Sequence, residues 1–238
     1  IDTGYTEWGA SGLAAVWAEN NTRESIYEAF RRKETFATSG SRIKVRFFGG
    51  YNLEKILEEG DPIKYAYANA SSMGSDILQN QNQVPEFMVW AIRDLKRAPL
   101  DRVQIIKGWT ELSGKPHEKV YDVACSDGRK ANIKTGLCKD SRAKVNLSNC
   151  KISKNFGADE LKVVWKDPDF NPNLKAFYYV RVLENPTCRW STWDAIKSGE
   201  KPRGDLPSTI QERAWTSPIW YVPDNDGIDV RNILTDEV

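Results

Sequence analysis

The spacing of apolar and polar positions changes period once near the start of the chain. Over the first part, Ile26, Ala29 and Phe30 fall on one helical face, while Glu24, Glu28, Arg31 and Arg32 fall on the other, which predicts a helix over about 22–33. Asn21 reads as its N-cap, with Glu24 at capping-box spacing. After Thr38-Ser39-Gly40 the period becomes two: Ile43, Val45 and Phe47 alternate with Arg42, Lys44 and Arg46, the mark of a half-buried strand over about 42–48.

Further along, β-type runs recur at 86–94, 102–109, 118–125, 160–166, 177–184 and 217–222, rich in β-branched and aromatic residues. Pro85, Pro99, Pro116, Pro168 and Pro172 fall between them as turn punctuation. Residues 1–20 are Gly-rich and aromatic and read as irregular, and 53–59 read as a short helix or turn. Residues 60–83 read as a polar surface excursion in which Tyr65, Tyr67 and Met73 can still pack. A short helix is expected over 191–199 and a loop over 198–207. The fold class that follows is α+β, mainly β: an antiparallel β-sandwich with an immunoglobulin-like outline.

Charge adds little to this picture. The 238 residues carry 34 Lys plus Arg against 33 Asp plus Glu, which gives no electrostatic reason to expect nucleic acid or an anionic membrane as partner. No apolar run approaches the roughly 20 residues of a membrane span. Self-association is left open. The cysteines add more. Cys125, Cys138, Cys150 and Cys188 contain no CxxC, and the only histidine is His117, so a zinc site is disfavoured. Two disulfides stapling a long polar loop suit a periplasmic or secreted protein. Three connectivities are open and the sequence does not choose among them; the preferred one is Cys125–Cys138 with Cys150–Cys188, and four reduced thiols in a cytosolic protein is the competing reading.

Candidate chemistry is sparse. In WAENNTR, Glu19, Asn20 and Arg23 stand at a helix N-terminus, where backbone N–H groups and the helix dipole favour an anion, and Arg23 offers a fork of donors; capping and solubility explain the same residues without a ligand. His117 in GKPHEK reads as a solvated loop residue, and Ser39 as part of a turn, since no GxSxG or neighbouring base accompanies it. Asp167, Asp169 and Asn171 resemble the opening of a calcium loop, but Pro172 stands where glycine is needed. Asp224, Asp226 and Asp229 around Gly227 fit a calcium loop better, against a turn or tail reading. Trp190, Trp193, Trp215 and Trp220 suit either packing or a sugar platform, and Arg181 reads as an inward or interface arginine paired with a carboxylate.

The run GLAAVWAENNTRESIYEAFRRKETFATSGSRIKVRFFGG, with QIIKGW, EKVYDVA, DPDF, AFYYVRVLENPTCRWSTWDAI and IQERAWTSPIWY, resembles the bacterial domain-of-unknown-function 3604 family, within the PHP (polymerase and histidinol phosphatase) metallohydrolase superfamily. The resemblance covers nearly the whole chain but only the C-terminal part of that family. It implies a (β/α) PHP barrel followed by a β-sandwich: residues 1–40 as the barrel's tail and last helix, 41–222 as the sandwich, and 223–238 as a polar C-terminal tail. It also implies a divalent-metal hydrolase of phosphoester or related ester bonds. The His-rich metal motifs belong to an N-terminal region not found here, so no catalytic residue and no metal ligand is assigned in this chain. The metals are expected on the barrel, in the same polypeptide or on a separate chain. A start at Ile1 without initiator Met fits a fragment or a processed product. The sandwich is then expected to support the barrel and shape one wall of its active site. The alternative is a non-catalytic carbohydrate- or protein-binding or assembly module.

Overall fold

The computed structural model describes residues 7–9, 11–81, 83–153 and 155–224. In chain order these form β1 (Leu13–Val16), α1 (Arg23–Arg31), β2 (Thr35–Thr38), β3 (Lys44–Gly50), a 3-10 turn (Ile56–Glu58), α2 (Pro62–Asn69), β4 (Ser71–Ser72), β5 (Asp76–Leu78) and β6 (Glu86–Ile92). The second half follows with β7 (Leu100–Thr110), β8 (Pro116–Cys125), β9 (Val145–Asn146), β10 (Lys151–Ile152), β11 (Glu160–Lys166), β12 (Ala176–Glu184), β13 (Thr187–Cys188), α3 (Trp190–Lys197), β14 (Thr209–Ile210), β15 (Arg213–Thr216) and β16 (Ile219–Val222). The fold is mainly β, and every strand pair is antiparallel except β16 with β5.

Two sheets carry the structure. The larger has eight strands and is centred on β12, which pairs along its length with β7 on one side and with β15 and then β16 on the other; β8 extends β7, β2 and β1 extend β15, and β5 extends β16. The smaller runs β11-β6-β3-β4. Val45, Phe47, Phe87 and Val89 from the smaller sheet meet Val103, Ile105, Tyr178, Val180 and Val182 from the larger in one buried core. A second cluster lies on the other face of the smaller sheet, where Phe48 and Met88 meet Leu53, Ile56 and Ala66 from the 3-10 turn and α2. β6 is therefore covered on both faces, which explains why FMVWA is a continuous apolar run and does not alternate. Among the described residues neither sheet closes into a barrel.

The six β-runs read from the sequence are all strands, and the predicted short helix is α3. Three expectations need correction. The first 20 residues are not wholly irregular: LAAV is a strand, paired with TFAT of β2. Residues 60–83 hold α2, β4 and β5, and Met73 is buried in the main core. Asp61 caps α2 by accepting from Lys64 N, with Pro62 in the first turn. The N-cap of α1 is Thr22, not Asn21: Thr22 Oγ1 accepts from Ser25 N, and Ser25 Oγ accepts from Asn20 N, ahead of the cap, so no capping box with Glu24 forms. On the same helix Ala29 is buried, whereas Phe30 is 53% exposed.

Residues on both sides of position 40 share the large sheet, because β2 hydrogen-bonds to β15. The turn after Thr38 carries the chain from one sheet to the other. Disulfides Cys125–Cys138 and Cys150–Cys188 bind the segment after β8 to the body of the fold, with Cα atoms 6.1 and 5.7 Å apart. This is the connectivity preferred from the sequence. Among the described residues no helix is long and apolar enough to cross a membrane.

Candidate functional site

A cleft lies where β1, α1, β3 and α2 meet. β1 delivers Trp17, Ala18 and Glu19 immediately after its last residue, and α1 returns the chain through Arg32, Lys33 and Glu34 into β2. Trp17 N donates to Glu34 O and Glu34 N to Ala29 O, which fixes the two segments side by side. Gly74, at φ +89°, lets the segment before β5 touch this return: a Cβ there would lie 2.4 Å from Lys33 O. β3 adds Arg46, which shares a face with Phe48, and α2 adds Tyr67, whose ring meets Phe48 edge-on at 5.0 Å. Trp17, Ala18, Glu19, Arg32, Glu34, Arg46 and Tyr67 line a cleft of about 520 Å³.

Its chemistry centres on one buried carboxylate. Glu34 is 3% exposed; it accepts a short hydrogen bond from the Tyr67 hydroxyl, and Arg46 and Arg32 lie 3.8 and 3.5 Å away. Arg46 Nη1 donates to the same Tyr67 oxygen, and its guanidinium lies over the Trp17 indole, 3.4 Å from the ring centroid. The indole is itself held by Trp17 Nε1 donating to Val45 O at 2.9 Å. Burial, reinforced by the hydrogen bond to Glu34, pushes the Tyr67 phenol up to about 12, so it stays protonated and donates. Burial also lowers the Arg46 guanidinium, with Tyr67 and Glu34 pulling it back.

Nε and Nη2 of Arg46 make no hydrogen bond among the described residues. Two guanidinium groups thus share one carboxylate, in a cleft walled by an indole and a phenol, with Glu19 also in its lining. Such a site can hold an anionic or acceptor-rich group through the rigid donor fork of arginine. The lining offers no Ser, Cys or His as a nucleophile or base.

Of the residues singled out at the helix N-terminus, only Glu19 lines this cleft. Asn20 commits its N–H to Ser25, and Arg23 is the exposed first residue of α1. Trp17, Arg32, Glu34, Arg46 and Tyr67 went unassigned in the sequence. Arg46 and Arg32 read there as wet-face residues, and no local pattern marks Glu34.

His117 is not in a loop: it lies in β8, stacked on Trp109 with centroids 5.1 Å apart and paired with Glu111 at 2.7 Å. Ser39 Oγ accepts from Arg213 N and donates to Glu212, as turn anchoring requires. Asp167 accepts from the Tyr178 hydroxyl at 2.7 Å and pairs with buried Lys107, while Asp169 accepts from Lys119 and Tyr121, so both carboxylates are engaged within the fold. Arg181 points outward and its Nε donates to the Gln104 amide at 2.6 Å, not to a carboxylate; Gln104 passes the contact on to Asp122. Asp224 N donates to Gln79, and Asp226 and Asp229 lie outside the described residues. The four tryptophans are dispersed: Trp190 and Trp193 on α3, Trp215 on β15 and Trp220 on β16.

The family model described as "Protein of unknown function (DUF3604)" matches residues 2–223. The chain belongs to this family. No curated protein and no solved structure matches it. In this DUF3604 chain the cleft is built from the stretch between Trp17 and Arg46, with Tyr67 closing it from α2.

Proposed function

We propose that this DUF3604 chain is the C-terminal part of a bacterial metal-dependent hydrolase of the PHP superfamily, acting on phosphoester or related ester bonds. In this reading it holds an anionic group of the substrate in the Trp17–Arg46 cleft, beside a barrel that carries the metal. The observation that carries the holding role is Arg46, seated on Trp17 with Nε and Nη2 uncommitted, next to Arg32. In this reading the sandwich is immunoglobulin-like, supported by two sheets that share one core, and it takes in β1 and β2 from the stretch 1–40 expected as the barrel's tail. The two disulfides support a periplasmic or secreted location.

The described residues do not fit the metal. Among the described residues no group of three His, Cys, Asp or Glu could hold an ion, and His117 is stacked on Trp109 with Glu111 beside its ring. The metal chemistry is therefore assigned to the barrel, in the same polypeptide or on a partner chain, and what this chain contributes is binding and orientation.

The test uses the polypeptide that includes the barrel, assayed for bound metal and for turnover of p-nitrophenyl phosphate. A hydrolase of this kind retains about two divalent ions and turns over the ester, and Arg46→Gln raises KM about tenfold while kcat stays within about twofold. A barrel-bearing polypeptide with neither metal nor turnover overturns the hydrolase. A fall in kcat at unchanged KM overturns the holding role.

A further inference from the structure

The outer face of the eight-stranded sheet carries an aromatic row. Along β12, Tyr178 and Val180 point into the core, whereas Phe177, Tyr179 and Arg181 point out. In register, Phe177 stands between Gly108 on β7 and Trp220 on β16. A Cβ on Gly108 would lie 2.2 Å from Phe177 Cζ, so the Phe177 ring lies across bare backbone. The rings of Phe177 and Tyr179 are nearly parallel, 16° apart with centroids at 6.4 Å, and Trp220 lies 5.1 Å from Phe177 with its plane turned by 50°, so the row twists along its length. Trp220 remains 47% exposed.

Charged groups frame the row. Asp76 on β5 stands opposite Trp220, and Glu118 on β8 stands opposite Gly108. Neither carboxylate forms an ion pair among the described residues. Burial raises the Tyr179 phenol, Glu118 raises it further and Arg181 opposes them, so both charges act on the phenol.

We propose that this row is a binding platform for a neutral oligosaccharide, whose pyranose faces stack on Trp220, Phe177 and Tyr179 and whose hydroxyls are hydrogen-bonded by Asp76, Glu118 and Arg181. Flat rings with adjacent polar tips suit a ligand that is apolar on its faces and polar at its edge. The mixed signs at the rim place a like charge against either an anionic or a cationic sugar. A protein partner covering the same row would desolvate two unpaired carboxylates, a cost that sugar hydroxyls offset by donating to them. The platform uses none of the residues of the Trp17–Arg46 cleft.

The test is a tryptophan-fluorescence titration of the full chain with cellohexaose, chitohexaose, xylohexaose and maltohexaose, supplemented by co-sedimentation with insoluble cellulose and chitin. At least one probe binds, Trp220→Ala weakens it about tenfold, the expected order for losing a stacking ring, and Glu118→Gln weakens it without disturbing the fold. Arg46→Gln leaves it unchanged, so failure of the platform is distinguishable from failure of the hydrolase reading. The proposal is overturned if no probe binds, or if Trp220→Ala and Glu118→Gln bind like the parent chain. It is equally overturned if the chain is a dimer in sedimentation that Trp220→Ala dissociates, which makes the row a protein interface.

Discussion

Glu184 ends β12 at a β-bulge, fully buried, and neither of its carboxyl oxygens has a hydrogen-bond partner. The buried Ser41 hydroxyl is also without one. Burial is the main cause that pushes this carboxyl up to about 8 from its ordinary 4.5; the nearby Ser41 hydroxyl holds it back, the Glu212 and Asp94 carboxylates add to the rise, and Arg97 opposes it. The native state therefore keeps a proton that the unfolded chain releases. Stability is fully present below the ordinary carboxylate value and falls as pH rises, until the native group itself ionises near pH 8. At 1.36 kcal/mol per pH unit the loss accumulates to about 4 kcal/mol across that window, a large part of the roughly 5–15 kcal/mol of a typical domain.

Glu184→Gln isolates the effect, because the amide has nearly the same shape and cannot ionise. Its unsatisfied N–H groups cost about 1–3 kcal/mol at every pH. The variant is thus less stable than the parent at pH 5 and more stable at pH 8. The assay is urea unfolding followed by tryptophan fluorescence at pH 5, 6, 7 and 8. A difference between parent and variant that stays flat within about 0.5 kcal/mol over this range refutes a protonated Glu184, because linkage leaves no other route for this residue.

Replacing Cys150 and Cys188 together by serine opens a loop with a sequence separation of 38, against 13 for the Cys125–Cys138 pair. Chain entropy predicts a loss of about 4 kcal/mol for the first pair and about 3 kcal/mol for the second, so equilibrium unfolding should rank the variants in that order. Lys107→Met removes the partner of Asp167, whose carboxylate is wholly buried and also holds the Tyr178 hydroxyl. Leaving that charge uncompensated costs about 3–5 kcal/mol, and Lys107→Met with Asp167→Leu in one chain should recover most of it.

The strands were legible wherever a long run repeated one choice. β7, β11 and β12 announce themselves by β-branched and aromatic residues, and β6 by an apolar run too dense for a surface strand. β1 and β2 were not, because four residues are too few to establish a period, and LAAV and TFAT become strands only by pairing with each other and with β15. α2 was readable in principle from Asp61-Pro62, but its small and aromatic residues present a weak stripe beside a Gly-rich and polar neighbourhood. The cleft was the least legible part. A buried carboxylate such as Glu34 is specified by groups 12 and 33 positions away, Arg46 and Tyr67, and no local window contains that information.

The turn from Thr38 to Arg42 shows why such long-range specification concentrates at crossings between layers. Where the chain leaves one sheet for the other, the ladder of backbone hydrogen bonds is interrupted and side chains must replace it. Ser39 is held by Glu212 and Arg213, Gly40 N donates to Thr38 Oγ1, and Arg42 N donates to Asp94. Three carboxyls, Glu212, Asp94 and Glu184, are thereby drawn to one end of the fold, and their mutual repulsion is eased by leaving the most buried of them protonated. The titration of Glu184 therefore bears on the sheet-to-sheet crossing itself. Ionisation there should raise amide exchange first at residues 39–42 and 184–185, before the strands of the main core respond.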